Sequence, residues 1–526
     1  MRYTISKSDY MLWLKHPAWL WLKKHHPKSL PPIDQDTQAI FDAGHLFEEY
    51  AEGLFDNPLK LGFDSYQEYL SLPDRTRKAL DSSTKQAILQ GRVEQDSLTC
   101  IFDVLEPLES GGYNLYEIKS STKPKPEHYQ DLAFQKLVLE KSGLKIDKIY
   151  LIHLNSFFVK KRDKIDPKKL TKVVEVTAEV LELSSQTAQN VALVKATASQ
   201  IDSPDLSPAF ASKYGLRDWL TIYKYLEPNL PEDSIYNLYG ISLEQVQSAK
   251  ETNTQKIEDL DPKLLIRSKQ KQQYQAWRQP SPIVDKARIK DFLDQMVFPL
   301  YFLDYETMGS VIPILNGTKP YQQIPFQYSL DILESESSQL KHYNYLHTEN
   351  TNPSSELSQA LLSEIGSKGT ILAWNMGFEQ KCNQTLAKLS SDHELGLLGL
   401  NPRFMDLMQP FMEGWYIDKR FMGSASIKKV LPVLVPELSY QELAINQGAS
   451  AQRVWMETVI GGKHQERREE IFSDLIKYCN LDTYAMVEIY RFLARLVLVD
   501  NETILGQGNP PIKSSPATIQ GSLFGG

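Results

Sequence analysis

The stretch YFLDYETMG (residues 301–309) places two carboxylates two positions apart within an apolar, aromatic run. Such a run predicts a β-strand, on which alternate side chains point to opposite faces. Asp304 and Glu306 would therefore share one face, where two like charges are destabilising unless something neutralises them. The stretch predicts a strand that supplies paired acids to a site.

Three later segments supply further carboxylates beside apolar elements. Asn375 and Glu379, in WNMGFE, follow an apolar strand at the expected start of a helix, and Asp406 lies in the apolar RFMDLMQPF. In YCNLDTYAM, Tyr478 and Asp482 are four residues apart and so share a helix face. Carboxylates that converge from separate elements are what two Mg²⁺ or Mn²⁺ ions require, and the ions neutralise the repulsion.

The order D-x-E, N-x-x-x-E and Y-x-x-x-D resembles the DEDD 3′–5′ exonucleases of the RNase H-like fold, in the subclass that carries a tyrosine. The amino-acid sequence from residue 302 to residue 486 also resembles a bacterial domain of unknown function attached to RecB-like nucleases. The resemblance assigns the metal ligands to Asp304, Glu306, Glu379 and Asp482. It implies that Tyr478 positions the attacking water and that Asp406 supports the ligands from behind. Glu379 departs from the family, in which this position is usually Asp.

A second group of acids lies nearer the N-terminus, in IFDVLEPLESGGYNLYEIKSST. Asp103 falls on one predicted strand, and Glu117 and Lys119 share a face of the next strand after a Gly-Gly turn. The facing strand can bring Asp103 alongside them. There an acid pair could hold Mg²⁺ while the lysine orients a water or stabilises the charged phosphate.

The pattern D-x(n)-E-x-K resembles the PD-(D/E)XK nuclease core, and two further segments resemble its RecB-like branch. GHLFEEYA offers Glu48 on an early helix, with Phe47 where histidine is common. YQDLAFQ offers Gln135 on the helix after the catalytic strand. The resemblance implies that Asp103 and Glu117 bind metal, and that Gln135 orients the active loop.

Cysteine usage separates the chain from iron–sulfur relatives. Its three cysteines are widely spaced and form neither a disulfide framework nor a C-x-x-C knuckle. Many RecB-like relatives hold a cluster through four cysteines, whereas here His16 precedes the N-terminal proline and residues 207–242 contain no cysteine. We expect no iron–sulfur cluster. Aromatic packing should take its place, with these candidates: Trp13, Trp19, Trp219 and Tyr223.

Composition bounds the class of protein. At 526 residues the chain is too long to fold around a single hydrophobic core, and we expect roughly three domains. Apolar residues make up 41% and charged residues 24%, as in globular proteins, and no apolar run is long enough to span a membrane. Without a signal-peptide pattern, we expect a cytoplasmic protein with no membrane partner. The net charge of −8 argues against binding of nucleic acid by bulk charge, but it permits local basic grooves.

We expect an α/β protein of four segments. Residues 1–155 would form the RecB-like PD-(D/E)XK (restriction-endonuclease-like) domain, and residues 156–290 a helical connector without the iron–sulfur cysteines. Residues 291–498 would form the RNase H-like domain, and residues 499–526 a disordered tail. The tail contains QGSLF, which resembles the bacterial sliding-clamp-binding peptide, with Gln520, Leu523 and Phe524 as the clamp-binding residues.

Together these patterns predict a nuclease that hydrolyses DNA with Mg²⁺ or Mn²⁺, as a 3′–5′ exonuclease in repair, replication or defence. One alternative is a non-catalytic nucleic-acid-binding or assembly module built on degenerate nuclease folds. Another is an exonuclease directed at RNA, since the same acids serve both polymers and only contacts to the ribose 2′-OH would distinguish them. The oligomeric state stays open.

Overall fold

The structure is a computed structural model that describes residues 3–82, 85–162 and 164–498. The expected tail, with Gln520, Leu523 and Phe524, lies outside the described residues. Among the helices of the described part, none has the length and apolar character needed to cross a membrane.

A mixed seven-stranded sheet organises the N-terminal lobe. Its strands are β1 Ile5–Ser6, β2 Leu59–Lys60, β3 Ile88–Gln95, β4 Leu98–Pro107, β5 Tyr113–Lys119, β6 Ile146–Leu154 and β7 Thr171–Glu175. The order is β2-β3-β4-β5-β6-β7, and β1 pairs in parallel with β4. Strands β4 and β5 are antiparallel neighbours, so the two motif strands lie side by side at the middle of the sheet.

Eight helices of the described residues cover this sheet. They are α1 Lys7–Lys15, α2 Pro17–His25, α3 Gln35–Glu52, α4 Tyr66–Asp81, α5 Pro126–Lys141, α6 Pro167–Leu170, α7 Thr177–Glu182 and α8 Ser184–Ser199. Helices α1 and α2 are separate, because the chain is extended at His16 and a new helix begins at Pro17. Proline disfavours the helical conformation of the residue that precedes it, here His16. The His16 ring instead accepts a hydrogen bond from the Ala18 N–H and caps α2.

The sheet continues beyond residue 155, where we had placed the boundary of the domain. Strand β7 is hydrogen-bonded to β6, and Val191 and Val194 of α8 pack in the same apolar core as the sheet. The prediction missed β7 because it is short and its outward face is charged. The expected connector therefore begins only after α8.

The connector contains three helices in the described residues: α9 Leu216–Leu226, α10 Leu243–Glu251 and α11 Ser268–Trp277. Trp219 is fully buried and stacks on His16 with ring centroids 3.9 Å apart. Trp19 and Tyr223 pack against the same cluster, as the sequence predicts, whereas Trp13 packs against the core of the sheet.

The C-terminal lobe is built on a five-stranded mixed sheet of order β11-β10-β9-β12-β13. Its strands are β9 Leu300–Met308, β10 Ile324–Leu333, β11 Lys341–Leu346, β12 Thr370–Ala373 and β13 Phe404–Asp406, and a separate pair is formed by β8 Ile283–Val284 and β14 Tyr416–Ile417. Strands β9, β10 and β11 are antiparallel, while β12 pairs in parallel with both β9 and β13. Strand β9, which carries the opening motif, is therefore central.

Alternate residues of β9 enter different cores. Phe302 and Met308 pack with the last helix, whereas Leu303 and Tyr305 pack with helices on the opposite face. The helices of this lobe are α12 Lys286–Leu293, α13 Ser354–Glu364, α14 Met376–Leu389, α15 Glu394–Leu400, α16 Gln409–Met412, α17 Ile427–Leu434, α18 Gly448–Trp455 and α19 Arg468–Leu498. The alternation predicted from residues 301–309 is thus present, with Asp304 and Glu306 directed towards the α19 side.

The two lobes share a packed contact. Val311 and Ile312 follow β9, yet they are buried in an apolar cluster of the N-terminal lobe. The backbone of Lys160 exchanges hydrogen bonds with Gly317 and Thr318, at 2.8 and 3.0 Å. The loop after β9 therefore anchors one lobe to the other.

Truncation of this anchor should destabilise the protein. Ile312 is 7% exposed, so Ile312→Ala should lower the free energy of unfolding by about 2–5 kcal/mol through lost burial and a residual cavity. Urea unfolding followed by tryptophan fluorescence measures the loss. Val297→Ala is the control because Val297 is 61% exposed, and this change should alter stability by less than about 0.5 kcal/mol. Equal effects of the two substitutions would contradict the described packing.

Candidate metal centre

Three carboxylates converge in the C-terminal lobe. Oxygens of Asp304, Glu306 and Asp482 lie within 4.8 Å of one another. The first two come from β9 and the third from α19, where it lies four residues after Tyr478. Glu306 and Asp482 are each 8% exposed, and Asp304 is half-buried. Two separate elements therefore bring the acids together, as the pattern predicts.

The group forms the wall of an open cavity of about 380 Å³. Besides the acids, the lining includes aromatic side chains, one lysine and the start of α18: Trp374, Phe378, Tyr478, Lys428, Gly448, Ala449 and Gln452. The carboxylates therefore line a cavity that opens to solvent.

The acids lack a cationic partner. In the described part of the chain none of the three carboxylates forms an ion pair with lysine or arginine. Burial, followed by the charges of Asp482, Glu306 and Glu379, raises the pKa of Asp304 well above its ordinary value. Burial and Asp482 likewise raise the pKa of Glu306. Without a cation the group retains protons, since ionising every acid would leave repelling charges in a poorly solvated place.

Tyr440 and Lys428 moderate this repulsion. The Tyr440 hydroxyl donates a 2.5 Å hydrogen bond to Oδ1 of Asp482. Burial raises the pKa of Asp482 to about 6, while the bond from Tyr440 and the charge of Lys428 act in the opposite direction. The Tyr440 bond also fixes the orientation of the carboxylate. Sequence reasoning missed Tyr440 because it lies in a loop, in no motif with the acids.

Tyr478 lies beside this group with its oxygen held by Lys428. The lysine Nζ donates to the phenol oxygen at 3.2 Å and to the Asn446 carbonyl at 2.6 Å. Since lysine can only donate, the phenol oxygen accepts, and its own O–H is available to the cavity. Burial and the neighbouring Asp482 raise the pKa of Tyr478, so the phenol stays protonated at neutral pH.

Glu379 lies near the group but is not one of its three members. It is 2% exposed in the first turn of α14, and its Oε2 is buried without a hydrogen-bond partner in the described residues. Burial, with a smaller contribution from Asp406, raises the pKa of Glu379 to about 8. A buried carboxylate oxygen without a donor is costly to the folded chain.

Asp406 has a structural role at the same helix. Its Oδ1 accepts hydrogen bonds from the N–H groups of Asn375 and Met408, both at 3.0 Å. Asn375 adopts a left-handed conformation, with φ of 76°, immediately before α14. Asp406 therefore positions the helix that carries Glu379, while its side chain lines a separate cavity of about 370 Å³.

The N-terminal acids also meet, but they meet lysines. Glu117 Oε1 lies 2.9 Å from Nζ of Lys7 and also contacts Nζ of Lys119, and Glu117 Oε2 accepts a 2.7 Å bond from Gln135. Asp103 Oδ2 accepts a 2.7 Å bond from the Ile118 N–H. Gln135 thus orients a carboxylate in this structure.

Two members of this cluster were not predicted, and one predicted member lies at its edge. Asp131 Oδ2 is 2.9 Å from Nζ of Lys119, and Asp131 could have been inferred because it precedes Gln135 by one helical turn. Lys7 carries no such signal. Glu48 is half-buried and lies 3.3 Å from His45. Burial, then the charge of Glu117 and to a smaller extent that of Glu48, raise the pKa of Asp103.

The buried Glu379 makes the metal-free protein sensitive to pH. Because the folded chain holds this proton more tightly than an ordinary carboxyl of pKa 4.5, stability present below pH 4.5 should be lost as the pH rises towards 8. The slope for one group is at most about 1.4 kcal/mol per pH unit. Urea unfolding in EDTA between pH 5 and pH 8 measures it, and Glu379→Gln should flatten the profile. Parallel profiles of the two proteins would contradict the assignment.

A family of unknown function matches the part of the chain that supplies the first acids of this site. Residues 301–426 match the family profile described as a domain of unknown function (DUF2779). That range contains Asp304, Glu306, Glu379 and Asp406, whereas Tyr478 and Asp482 lie after it.

Three bacterial proteins are similar to part of the chain. The uncharacterized protein MG366 of Mycoplasma genitalium is 23% identical over 243 residues, which cover 42% of this chain and 36% of that protein. Its Mycoplasma pneumoniae homolog is 23% identical over 235 residues, with coverage of 41% and 35%. The uncharacterized protein UU173 of Ureaplasma parvum is 22% identical over 216 residues, with coverage of 37% and 31%. The chain spans about a third of the length of the curated relatives it matches. It carries a DUF2779 domain and is distantly homologous to these proteins.

Proposed function

We propose that the chain is a metal-dependent nuclease that hydrolyses DNA as a 3′–5′ exonuclease at the C-terminal acidic cavity. The observation that carries this proposal is the convergence of Asp304, Glu306 and Asp482, without a cationic partner, in an open cavity beside Tyr478. The strand order β11-β10-β9-β12-β13, with the first three strands antiparallel, supports an RNase H-like domain. The 3′–5′ polarity is proposed because the motifs resemble those of the DEDD 3′–5′ exonucleases.

The donor set fits Mg²⁺ or Mn²⁺, which prefer carboxylate oxygens. Asp304, Glu306 and Asp482 would hold the ions, and the unpartnered Oε2 of Glu379 would complete the set. Bound ions would lower the pKa of a water and stabilise the charge on a phosphodiester.

The remaining residues position the reactants. Tyr478, with its oxygen held by Lys428, can donate its O–H to an attacking water and fix the direction of attack. The ammonium group of Lys428 lies at the cavity wall and can also pair with a phosphate oxygen.

Aromatic side chains suit a nucleic-acid substrate. Trp374 and Phe378 line the cavity and are half-buried, so each exposes part of a ring. The indole N–H of Trp374 donates to the Ala425 carbonyl at 3.0 Å, which fixes the ring. A fixed ring beside the acids provides a surface on which a terminal base can stack without regard to sequence.

Removal of one ligand tests the proposal. Asp304→Asn keeps the shape of the side chain but removes its charge. It should reduce hydrolysis of 5′-labelled single-stranded DNA with Mn²⁺ by about 10³-fold or more, since a lost ligand costs several kcal/mol of transition-state stabilisation. Duplex DNA and RNA are assayed in parallel, so that the polymer preference is measured as well.

Asp392→Asn is the matched control because Asp392 is an exposed acid of the same lobe. This variant should retain full activity. Equal activity of the two variants would reject the site, and the absence of hydrolysis of every polymer by the unmodified chain would favour the binding-module alternative.

A further inference from the structure

The cluster at β5 differs from the C-terminal group in how its charge is balanced. The four carboxylate oxygens of Glu117 and Asp131 all have nitrogen partners. Lys7 and Lys119 approach Oε1 of Glu117, Gln135 binds its Oε2, and the same three side chains contact Asp131. Glu117 is 1% exposed and Asp131 is 5% exposed. This acid pair is therefore saturated by the chain itself.

Lys7 holds the central position in this cluster. Its Nζ lies 2.9 Å from Glu117 and 3.5 Å from Asp131, so it bridges acids from a strand and from a helix. Burial alone would lower the pKa of Lys7, but the charges of Asp131, Glu117 and Asp103 raise it well above its ordinary value. The bridge thus places an ammonium group between two buried carboxylates.

The fold holds Lys7 in place. It is the first residue of α1, directly after β1, and β1 pairs in register with Leu98 and Thr99 of β4. Ser6 caps the helix through a hydrogen bond with the Asp9 N–H, and the Asp9 side chain binds the Ser6 N–H in return. A long side chain on an anchored helix terminus loses little further freedom when it forms the bridge.

We propose that the Lys7 ammonium takes the place of a divalent cation in the Asp103–Glu117–Asp131 cluster, so that the N-terminal lobe binds no catalytic metal and serves as a scaffold for the C-terminal lobe. The proposal concerns a different site from the acidic cavity and does not depend on the activity of that cavity. All four oxygens of Glu117 and Asp131 already have nitrogen partners, so these two acids offer no free oxygen to a further cation.

Contacts between the lobes fit a role as scaffold. The backbone carbonyl of Ser120, the residue after strand β5, accepts a 2.8 Å hydrogen bond from the Tyr321 hydroxyl. On α3, Asp36 binds Ser450 and Arg453 of α18, both at 2.9 Å. Helix α18 also supplies Gly448 to the cavity wall, so the N-terminal lobe braces an element of the cavity.

Binding of Mn²⁺ to the full chain tests the proposal. Asp304→Asn/Glu306→Gln removes the C-terminal group and provides the background. Binding of Mn²⁺ is measured as the loss of the electron paramagnetic resonance signal of the free ion. In this background, with Lys7 intact, Glu117→Gln should not change the amount of Mn²⁺ bound. Adding Lys7→Met, which keeps the length and removes the charge, should create a Mn²⁺ site that depends on Glu117. Its affinity should be at least about tenfold higher than any residual Mn²⁺ binding of the background, and Mn²⁺ should raise the thermal midpoint of this variant.

Lys24→Met is the matched control. Lys24 is also a partly buried N-terminal lysine in an ion pair, 2.7 Å from Asp9, but it lies outside the cluster. It should produce no Mn²⁺ site. The proposal is overturned if the Lys7-intact background binds Mn²⁺ in a way that Glu117→Gln abolishes. It is also overturned if the Lys7→Met protein folds but binds Mn²⁺ no more tightly than the Lys24→Met protein. The first comparison needs no substitution of Lys7, so it decides the question even if that variant does not fold.

Discussion

Mutual repulsion among Asp304, Glu306 and Asp482 is the constraint around which the C-terminal lobe is arranged. Their oxygens lie within 4.8 Å of one another, and the side chains of Glu306 and Asp482 are buried. Such a group is stable only if it retains protons or gains a cation. The central strand, the last helix and the Tyr440 hydroxyl all hold the acids in this unfavourable proximity. A protein that needed only a stable core would gain by replacing these residues with apolar ones. Their convergence is the observation on which the proposal of a bound cation rests.

The two acid clusters show two solutions to one electrostatic problem. In the N-terminal lobe, lysines from α1 and β5 neutralise Glu117, and the pKa of this carboxyl is lowered by Lys119 and Lys7 despite its burial. In the C-terminal lobe, the acids keep raised pKa values because Lys428 lies near them without forming an ion pair. In the N-terminal cluster, lysine and glutamine side chains occupy the carboxylate oxygens of Glu117 and Asp131. The C-terminal acids instead line a cavity that is open to solvent. Metal chemistry is consequently proposed for the second cluster alone.

Much of this arrangement follows from local sequence patterns. The alternation in residues 301–309 predicts the shared face of Asp304 and Glu306, and the spacing of Tyr478 and Asp482 predicts the helix face that meets them. The strand over the opening motif and the helix that carries Tyr478 and Asp482 are also confirmed. These features rest on periodicity and on chain neighbours, which a sequence displays directly.

The features that escaped prediction depend on contacts between distant segments. Tyr440 reaches Asp482 across 42 positions, and Lys7 reaches Glu117 across 110. No periodicity links such pairs, so only the folded chain reveals them. Strand β7 was missed because its exposed, charged residues resemble a solvated connector, although pairing with β6 makes it part of the sheet.

Proton release on metal binding tests the central claim most directly. Titration of the full chain with Mn²⁺ near pH 6.5, in buffers of different ionisation enthalpy, counts the protons displaced when the acids bind the ion. Because the pKa values of Asp482 and Glu379 are raised to about 6 and about 8, and those of Asp304 and Glu306 are raised well above their ordinary values, the account predicts binding with a clear net release of protons. Mn²⁺ binding without proton release, or no binding at all, would contradict it.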